Sequence, residues 1–225
     1  MHRFFAFRKN GAIELFDEDK KHFKVLRIEK NELLELVIED KIYEAKFTGQ
    51  NFELLEEKTK PPDVKIYANV CIPIKLQTLE TIIDYAVQGG VFEITPVFCK
   101  RSFQDSSKLL EKYKRLQKIL KEAIKQSRPS FLPKLNYPIS LKDITLQGYG
   151  IVFDSFEKPK NDLLKDNKYT LVFGPEGGLS KEEVEFLKAL GFNTHSLGNN
   201  ILREELAVFA GIFMIRCKCI SSDRL

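Results

Sequence analysis

The sequence predicts an α/β fold preceded by a small β domain, and three observations carry that expectation. Residues 1 to about 56 alternate apolar and polar side chains in short runs, the period of half-buried strands. From residue 64 onward, apolar strand-like runs are separated by longer amphipathic stretches, the rhythm of a parallel sheet crossed by helices. Between the two, Glu56-Glu57-Lys58-Thr59-Lys60-Pro61-Pro62-Asp63 is charged and closes on a double proline, which divides the chain into residues 1–62 and 63–225.

In the first part, Leu33 to Ile38 and Lys41 to Phe47 read as strands of a small antiparallel barrel or sandwich. Asp19 to Ile28 breaks that alternation with basic residues and a helical spacing of Phe23 and Leu26. In the second part, Val64 to Ile74 reads as a strand and Leu76 to Val87 as an amphipathic helix that ends at Gly89-Gly90. Val91 to Phe98 is the next strand. Ser107 to Gln126 keeps a 3.6-residue apolar stripe through Leu109, Tyr113, Leu116, Leu120 and Ala123, which predicts a long helix. Tyr149 to Asp154 and Tyr169 to Phe173 are two further strands, while Pro129 to Gly148 carries no clear period.

The chain has 225 residues, 43% hydrophobic and 30% charged, enough for a medium domain and a small companion. Its longest apolar run, Ala207 to Ile215, falls short of the roughly 20 residues of a membrane span. The first ten residues carry charges and lead into no cleavable apolar segment, so a cytoplasmic protein with no membrane partner is expected. Cys71, Cys99, Cys217 and Cys219 show no Cys-x-x-Cys spacing and His2, His22 and His195 are scattered; reduced thiols and no metal site are expected.

The residues with most chemical content lie in two glycine-bearing turns. Leu171-Val172-Phe173 runs into Gly174-Pro175-Glu176-Gly177-Gly178, after which Ser180 is placed to cap a helix with Glu182 and Glu183 in its first turn. Asn193 to Leu197 runs into Gly198-Asn199-Asn200, with Ile201, Leu202, Arg203 and Glu205 at the mouth of the last helix. Both turns are expected at the same edge of one sheet. The first lacks the Lys-Ser or Lys-Thr of a P-loop and the spacing of a dinucleotide fingerprint, and Glu176 would repel a pyrophosphate. A neutral or cationic nucleoside fits better, and S-adenosylmethionine is one; a plain strand-to-helix turn is the other reading.

Arg203 at a helix N-terminus opposes the helix dipole, so it is not there for helix stability. It holds a carboxylate, a phosphate or a developing oxyanion, or else forms a structural pair with Glu205 or Glu176. Asp154 ends a strand where α/β sheets present ligand groups, and it serves equally as a helix cap.

The long helix carries Lys108, Lys112, Lys114, Arg115, Lys118, Lys121 and Lys125, then Arg128, against only Glu111 and Glu122. It is either a solvated face or a binder of phosphate backbone. The first part adds Arg3, Arg8, Lys24 and Arg27, interleaved with Phe4, Phe5, Phe7 and Phe23, which are core residues or platforms for unpaired bases.

Leu171 to Ser180 together with Leu197 to Ala207 resembles the bacterial 16S ribosomal RNA uridine-N3 methyltransferase family, in the SPOUT class of knotted methyltransferases. His2 to Phe5, His22 to Arg27, Lys75, Glu122-Ala123, Gln126 to Arg128 and Pro133 match in the same order, so the likeness spans nearly the whole chain. It implies an N-terminal PUA-like RNA-binding β barrel at 1–62, a C-terminal α/β domain with a trefoil knot at 63–225, and a homodimer formed through the knot domain. It also implies S-adenosylmethionine as methyl donor, held by Phe173 to Gly178 and Leu197 to Leu202, and 16S ribosomal RNA or the small subunit as partner. Arg203 and Glu205 would then be catalytic, and Arg3, Lys24, Arg27, Lys112, Arg115 and Arg128 would contact RNA. The chain departs from the usual pattern at Glu204 and Leu206, where threonines are common, and at Gln88, where glutamate is.

Methylating N3 of uridine removes the imide proton and spreads negative charge onto O2 and O4, which calls for a base and a cation. Arg203 suits the cation, and Glu205, Glu176 or a water held by one of them suits the base. A methyltransferase acting on another RNA position or on a ribose hydroxyl, and a non-catalytic RNA-binding protein of the same fold, are the alternatives.

Overall fold

The computed structural model describes residues 1–154 and 166–220. Contacts divide the chain into two compact units, one comprising Met1–Pro62 with Ile124–Leu132, the other the remaining described residues.

The first unit is an open five-stranded sheet in the order β2-β1-β3-β4-β5. Its strands are β1 (Arg3–Lys9), β2 (Ala12–Leu15), β3 (Leu33–Ile38), β4 (Lys41–Phe47) and β5 (Phe52–Glu57), with helix α1 (Asp17–Leu26) between β2 and β3. The edge strands β2 and β5 do not pair, so where the sequence suggests an antiparallel barrel or sandwich the sheet is a half-barrel. Nor is it wholly antiparallel: β1 pairs parallel to β3, because β2 runs back along β1 and α1 then leads the chain into β3 from the end at which β1 began.

Its core is aromatic. Phe4 is fully buried, and Phe23 of α1 stands edge-on to Phe47 and Phe52, with ring centroids 5.0 and 5.7 Å apart. Of the aromatics considered as base platforms, Phe4 and Phe23 are therefore spent on the core, and Phe7 packs on Phe16 at 5.0 Å. The segment from 124 joins this unit through specific bonds. Lys125 Nζ pairs with the buried Asp19 carboxylate at 3.1 Å, and the Lys60 amide donates to the Ser130 carbonyl at 2.7 Å.

The second unit is a parallel sheet in the order β12-β10-β11-β6-β7-β8, with β9 also on β7. In chain order come β6 (Lys65–Cys71), α2 (Leu76–Gly89), β7 (Glu93–Phe98), α3 (Ser106–Ser127), β8 (Lys134–Leu135), β9 (Ile139–Ser140), β10 (Tyr149–Phe153), β11 (Lys168–Phe173), α4 (Lys181–Ala189), β12 (Asn193–His195) and α5 (Glu204–Ile220). The uncertain stretch after Pro129 holds two two-residue strands and a 3-10 turn at Leu141–Asp143, pieces too short to leave a period in the sequence.

Central strands are apolar on both faces, as a covered parallel sheet requires: Ile66, Val70, Ile94, Val97, Ile151, Val152, Leu171 and Val172 are all fully buried. Helices α2 and α5 pack together, with Leu79, Ile82, Ile83, Val208 and Ile212 sealed from water. Gly211 lets α5 lie against the stacked rings of Phe153 and Phe173, 4.8 Å apart; a Cβ there would come 2.7 Å from Phe173. Cys71, Cys99 and Cys219 are buried thiols and Cys217 is exposed. Among the described residues no helix is long and apolar enough to cross a membrane.

Candidate active site

Parallel pairing brings the two glycine turns to one edge of the sheet. In β10, Phe153 is level with Phe173 of β11 on one side and with His195 of β12 on the other. The chain leaves β11 into Gly174–Gly178 and leaves β12 into Ser196–Leu202 at the same carboxyl edge, where α/β sheets place ligands.

Each turn is held by its own residues. Ser180 caps α4 in a capping box: its hydroxyl accepts from the Glu183 amide at 3.3 Å, and the Glu183 carboxylate accepts from the Ser180 amide at 2.8 Å. Arg101 donates to the Gly177 carbonyl at 2.7 Å. Ser196 Oγ donates to the Gly198 carbonyl at 2.8 Å and accepts from its amide at 3.3 Å. Gly178 and Gly198 have φ of +67° and +133°, conformations that side chains disfavour, and an added Cβ at either meets nothing within 4 Å. Both turns therefore present open backbone.

A cavity of about 590 Å³ opens beside them, walled by Ile74, Lys75, Thr78, Glu176 and Ile201 to Glu205. Of the residues singled out from sequence, Lys75, Glu176, Ile201, Leu202, Arg203 and Glu205 meet here. The Phe173 ring and Pro175 are buried, Phe173 against Phe153 and Gly211, while Gly174, Gly177, Gly178, Leu197, Gly198 and Asn199 form the adjoining turns. Glu176 accepts the Ile74 amide at 3.2 Å, which ties the turn after β11 to the chain leaving β6. Arg203 Nε stands 3.3 Å from Glu205 Oε1.

In the sequence Glu204 stands out only as a departure from the family pattern, and the structure gives it more weight. It is 5% exposed, and neither of its carboxyl oxygens has a hydrogen-bond partner among the described residues. Burial pushes its pKa up to about 9, with repulsion from Glu176, then Cys99 and Glu205, adding to the effect. His195 is a second buried orphan: Nδ1 meets the Ser196 carbonyl at 2.7 Å and Nε2 has no partner among the described residues. Ile74 and Thr78 were invisible to motif reading, because they join the wall only through the β6–β11 pairing. Gln88 lies away from this wall and donates to Asp84 at 3.1 Å.

The basic residues divide. Arg3 is a correction: its side chain is 2% exposed, its Nε meets Glu35 at 2.9 Å and its Nη1 donates to the Pro129 carbonyl at 2.9 Å, so it is a structural residue with no face left for RNA. Lys24, Arg27 and Arg128 are exposed in the first unit, Arg128 donating to the Met1 carbonyl, and Lys112 is half-buried on α3. Arg115 makes a fork with Glu80 of α2 at 2.7 and 2.9 Å, an acidic partner that counting within α3 alone could not reveal.

Residues 60–216 match the model of the RNA methyltransferase domain family. The chain is 35% identical to ribosomal RNA small subunit methyltransferase E of Aquifex aeolicus over 92% of its own length and 96% of the relative's. The chain belongs to the ribosomal RNA small subunit methyltransferase E family. The protein of that name from Mesomycoplasma hyopneumoniae is 34% identical, with 98% and 99% of the two chains covered. The crystal structure of methyltransferase E from Neisseria gonorrhoeae bound to S-adenosyl methionine superposes with a TM-score of 0.80 over 97% of this chain and 98% of that one. At 23% identity that likeness speaks for a shared fold.

Proposed function

We propose that this chain transfers a methyl group from S-adenosylmethionine to N3 of a uridine in 16S ribosomal RNA of the small subunit. The observation that supports this most is the meeting of Arg203 with the carboxyl groups of Glu176, Glu204 and Glu205 in one cavity beside two open glycine turns, in a member of this family. The residues present fit the donor: open backbone at Gly178 and Gly198 admits a nucleoside, and the orphaned Glu204 carboxyl awaits a polar or cationic partner. When bound, S-adenosylmethionine supplies an electrophilic methyl group on a positively charged sulfur.

Phe173 to Gly178 and Leu197 to Leu202 hold that donor, largely through backbone. Arg203 offers planar guanidinium donors to the uracil oxygens as negative charge develops there. Glu205 steadies Arg203 beside the reacting groups, and a carboxyl group of the cavity wall takes the imide proton. N3 lies on the pairing edge, so the uridine is taken unpaired or flipped from its stack.

Lys24, Arg27, Lys112, Arg115 and Arg128 contact the RNA backbone, which gives affinity without sequence information. Residues 1–62 form a PUA-like RNA-binding module and 63–225 a knotted methyltransferase domain. In support of the knot, the chain travels from β12 at one edge of the sheet to α5, which packs on α2, β11 and β6. In support of a homodimer through this domain, Ile201, Leu206, Phe213 and Tyr85 expose apolar surface. The enzyme works in the cytoplasm with its RNA.

Mass spectrometry of 16S ribosomal RNA from cells lacking this protein, before and after its addition with S-adenosylmethionine, tests the reading. A methylated uridine that is missing and then restored is the expected result; an unchanged modification pattern would overturn it.

A further inference from the structure

We infer that Glu204 is the proton carrier of this site: its carboxyl gives up a proton when a cationic ligand enters the cavity and then accepts the proton that the substrate nitrogen loses. This rests on the S-adenosylmethionine site proposed above.

Geometry carries it. Glu204 is 5% exposed, borders the cavity, and has no hydrogen-bond partner at either oxygen among the described residues. A buried carboxyl without donors is stable only if it keeps its proton or a ligand completes it. The other acids of the wall differ. Glu176 is exposed and spends an oxygen on the Ile74 amide, and Glu205 faces Arg203.

The groups facing Glu204 also explain its proton. Glu176 comes from the turn after β11 and Glu205 from the next position on α5, with the Cys99 thiol beyond β7 and the Cys71 thiol at the end of β6. The cations of the wall are Lys75 and Arg203, and Arg203 is paired with Glu205. Burial and like charge therefore hold the proton on Glu204, up to about pH 9. A positive charge a few ångströms away reverses that balance by on the order of two pH units, which is enough to ionise the carboxyl near neutral pH.

The ionised carboxylate then has a substrate. Glu204 accepts the proton from uridine N3, the N3 electron pair forms the bond to the methyl carbon, and the pair of the broken carbon–sulfur bond stays on sulfur. One positive and one negative charge disappear together, so the neutral acid is restored as the sulfur becomes a thioether. Departure of the cation and uptake of the proton favour each other, and the site resets without net charge.

Calorimetric titration of the whole protein at pH 8, in two buffers of different ionisation enthalpy, counts protons directly. The wild type is expected to release close to one proton on binding S-adenosylmethionine and none on binding S-adenosylhomocysteine, whose sulfur is neutral. Glu204→Gln is expected to release none with either, and its single-turnover methylation falls by about a hundredfold or more. Glu204→Thr, smaller and also unable to ionise, replaces it as the control if the glutamine variant does not fold. Equal proton counts in wild type and variant would overturn the role of Glu204 while leaving the binding site standing. Failure of the wild type to bind either ligand would instead overturn the site itself, and this role with it.

Discussion

Arg203 Nε lies 3.3 Å from Glu205 Oε1, in an ion pair whose arginine side chain is 80% exposed and whose carboxylate is 15% exposed. The cation thus faces the cavity mouth while its anchor sits in the wall. Such a pair adds little stability, because the exposed partner is screened by water. What it supplies is a guanidinium held in one place at the end of the helix that least welcomes it.

Arg203→Ala is therefore expected to lower kcat by about a hundredfold or more, the usual cost of removing one donor to a developing anion. Affinity for S-adenosylmethionine should change by only a few fold. Single-turnover methylation and calorimetry on the same preparation separate the two, and wild-type turnover in the variant would sink the assignment.

The buried carboxyl of Glu204 makes a prediction about stability. Its pKa is raised on folding from the ordinary 4.5 of a glutamate to about 9, so the folded state binds the proton more tightly than the unfolded state does. The resulting stability is fully present below about pH 4.5 and is lost as pH rises towards about 9, at up to about 1.4 kcal/mol per unit. Across that window the wild-type Tm should fall relative to Glu204→Gln, measured without ligand. Parallel Tm profiles would contradict the protonated state.

The basic residues of the first unit should separate into two kinds. Lys24→Ala and Arg27→Ala are expected to weaken RNA binding alike for all sequences, and to flatten the dependence of log K on log salt by about 0.7–0.9 per lost contact. Arg3→Ala should leave that slope alone. It strands the Glu35 carboxylate and is expected to lower stability by about 3 kcal/mol, seen by urea denaturation.

Gly211→Ala tests how tightly α5 is seated. The added methyl would lie 2.7 Å from the Phe173 ring and 2.9 Å from the Phe153 ring, atoms that cannot move without disturbing β10 and β11. A loss of about 1–3 kcal/mol is expected from such overpacking. Thermal denaturation measures it, and kcat should fall as well, because the same helix begins at Glu204 beside Arg203.

Much of this fold was legible in the chain. The switch from alternating residues to strand-and-helix rhythm near Pro61-Pro62 foretold a β unit followed by a parallel α/β unit. Ser180 with Glu183 three positions on foretold a capped helix, and both bonds of that cap are present. Less legible were features that depend on distant partners: the parallel β1–β3 pairing, the attachment of 124–132 to the first unit, and the Glu80 that answers Arg115.

The sequence by itself determined which residues can bend, which can carry charge and how they are spaced, since these depend on near neighbours along the chain. It placed the glycine turns, Arg203 and Glu205 in one candidate site. Only the tertiary structure decided exposure and ionisation, because both depend on what lies across the sheet. It turned Arg3 from an RNA contact into a buried strut. It turned Glu204 from an odd residue beside the site into an orphaned acid within it, since only the close approach of α5 to the turns after β6 and β11 takes that carboxyl out of water.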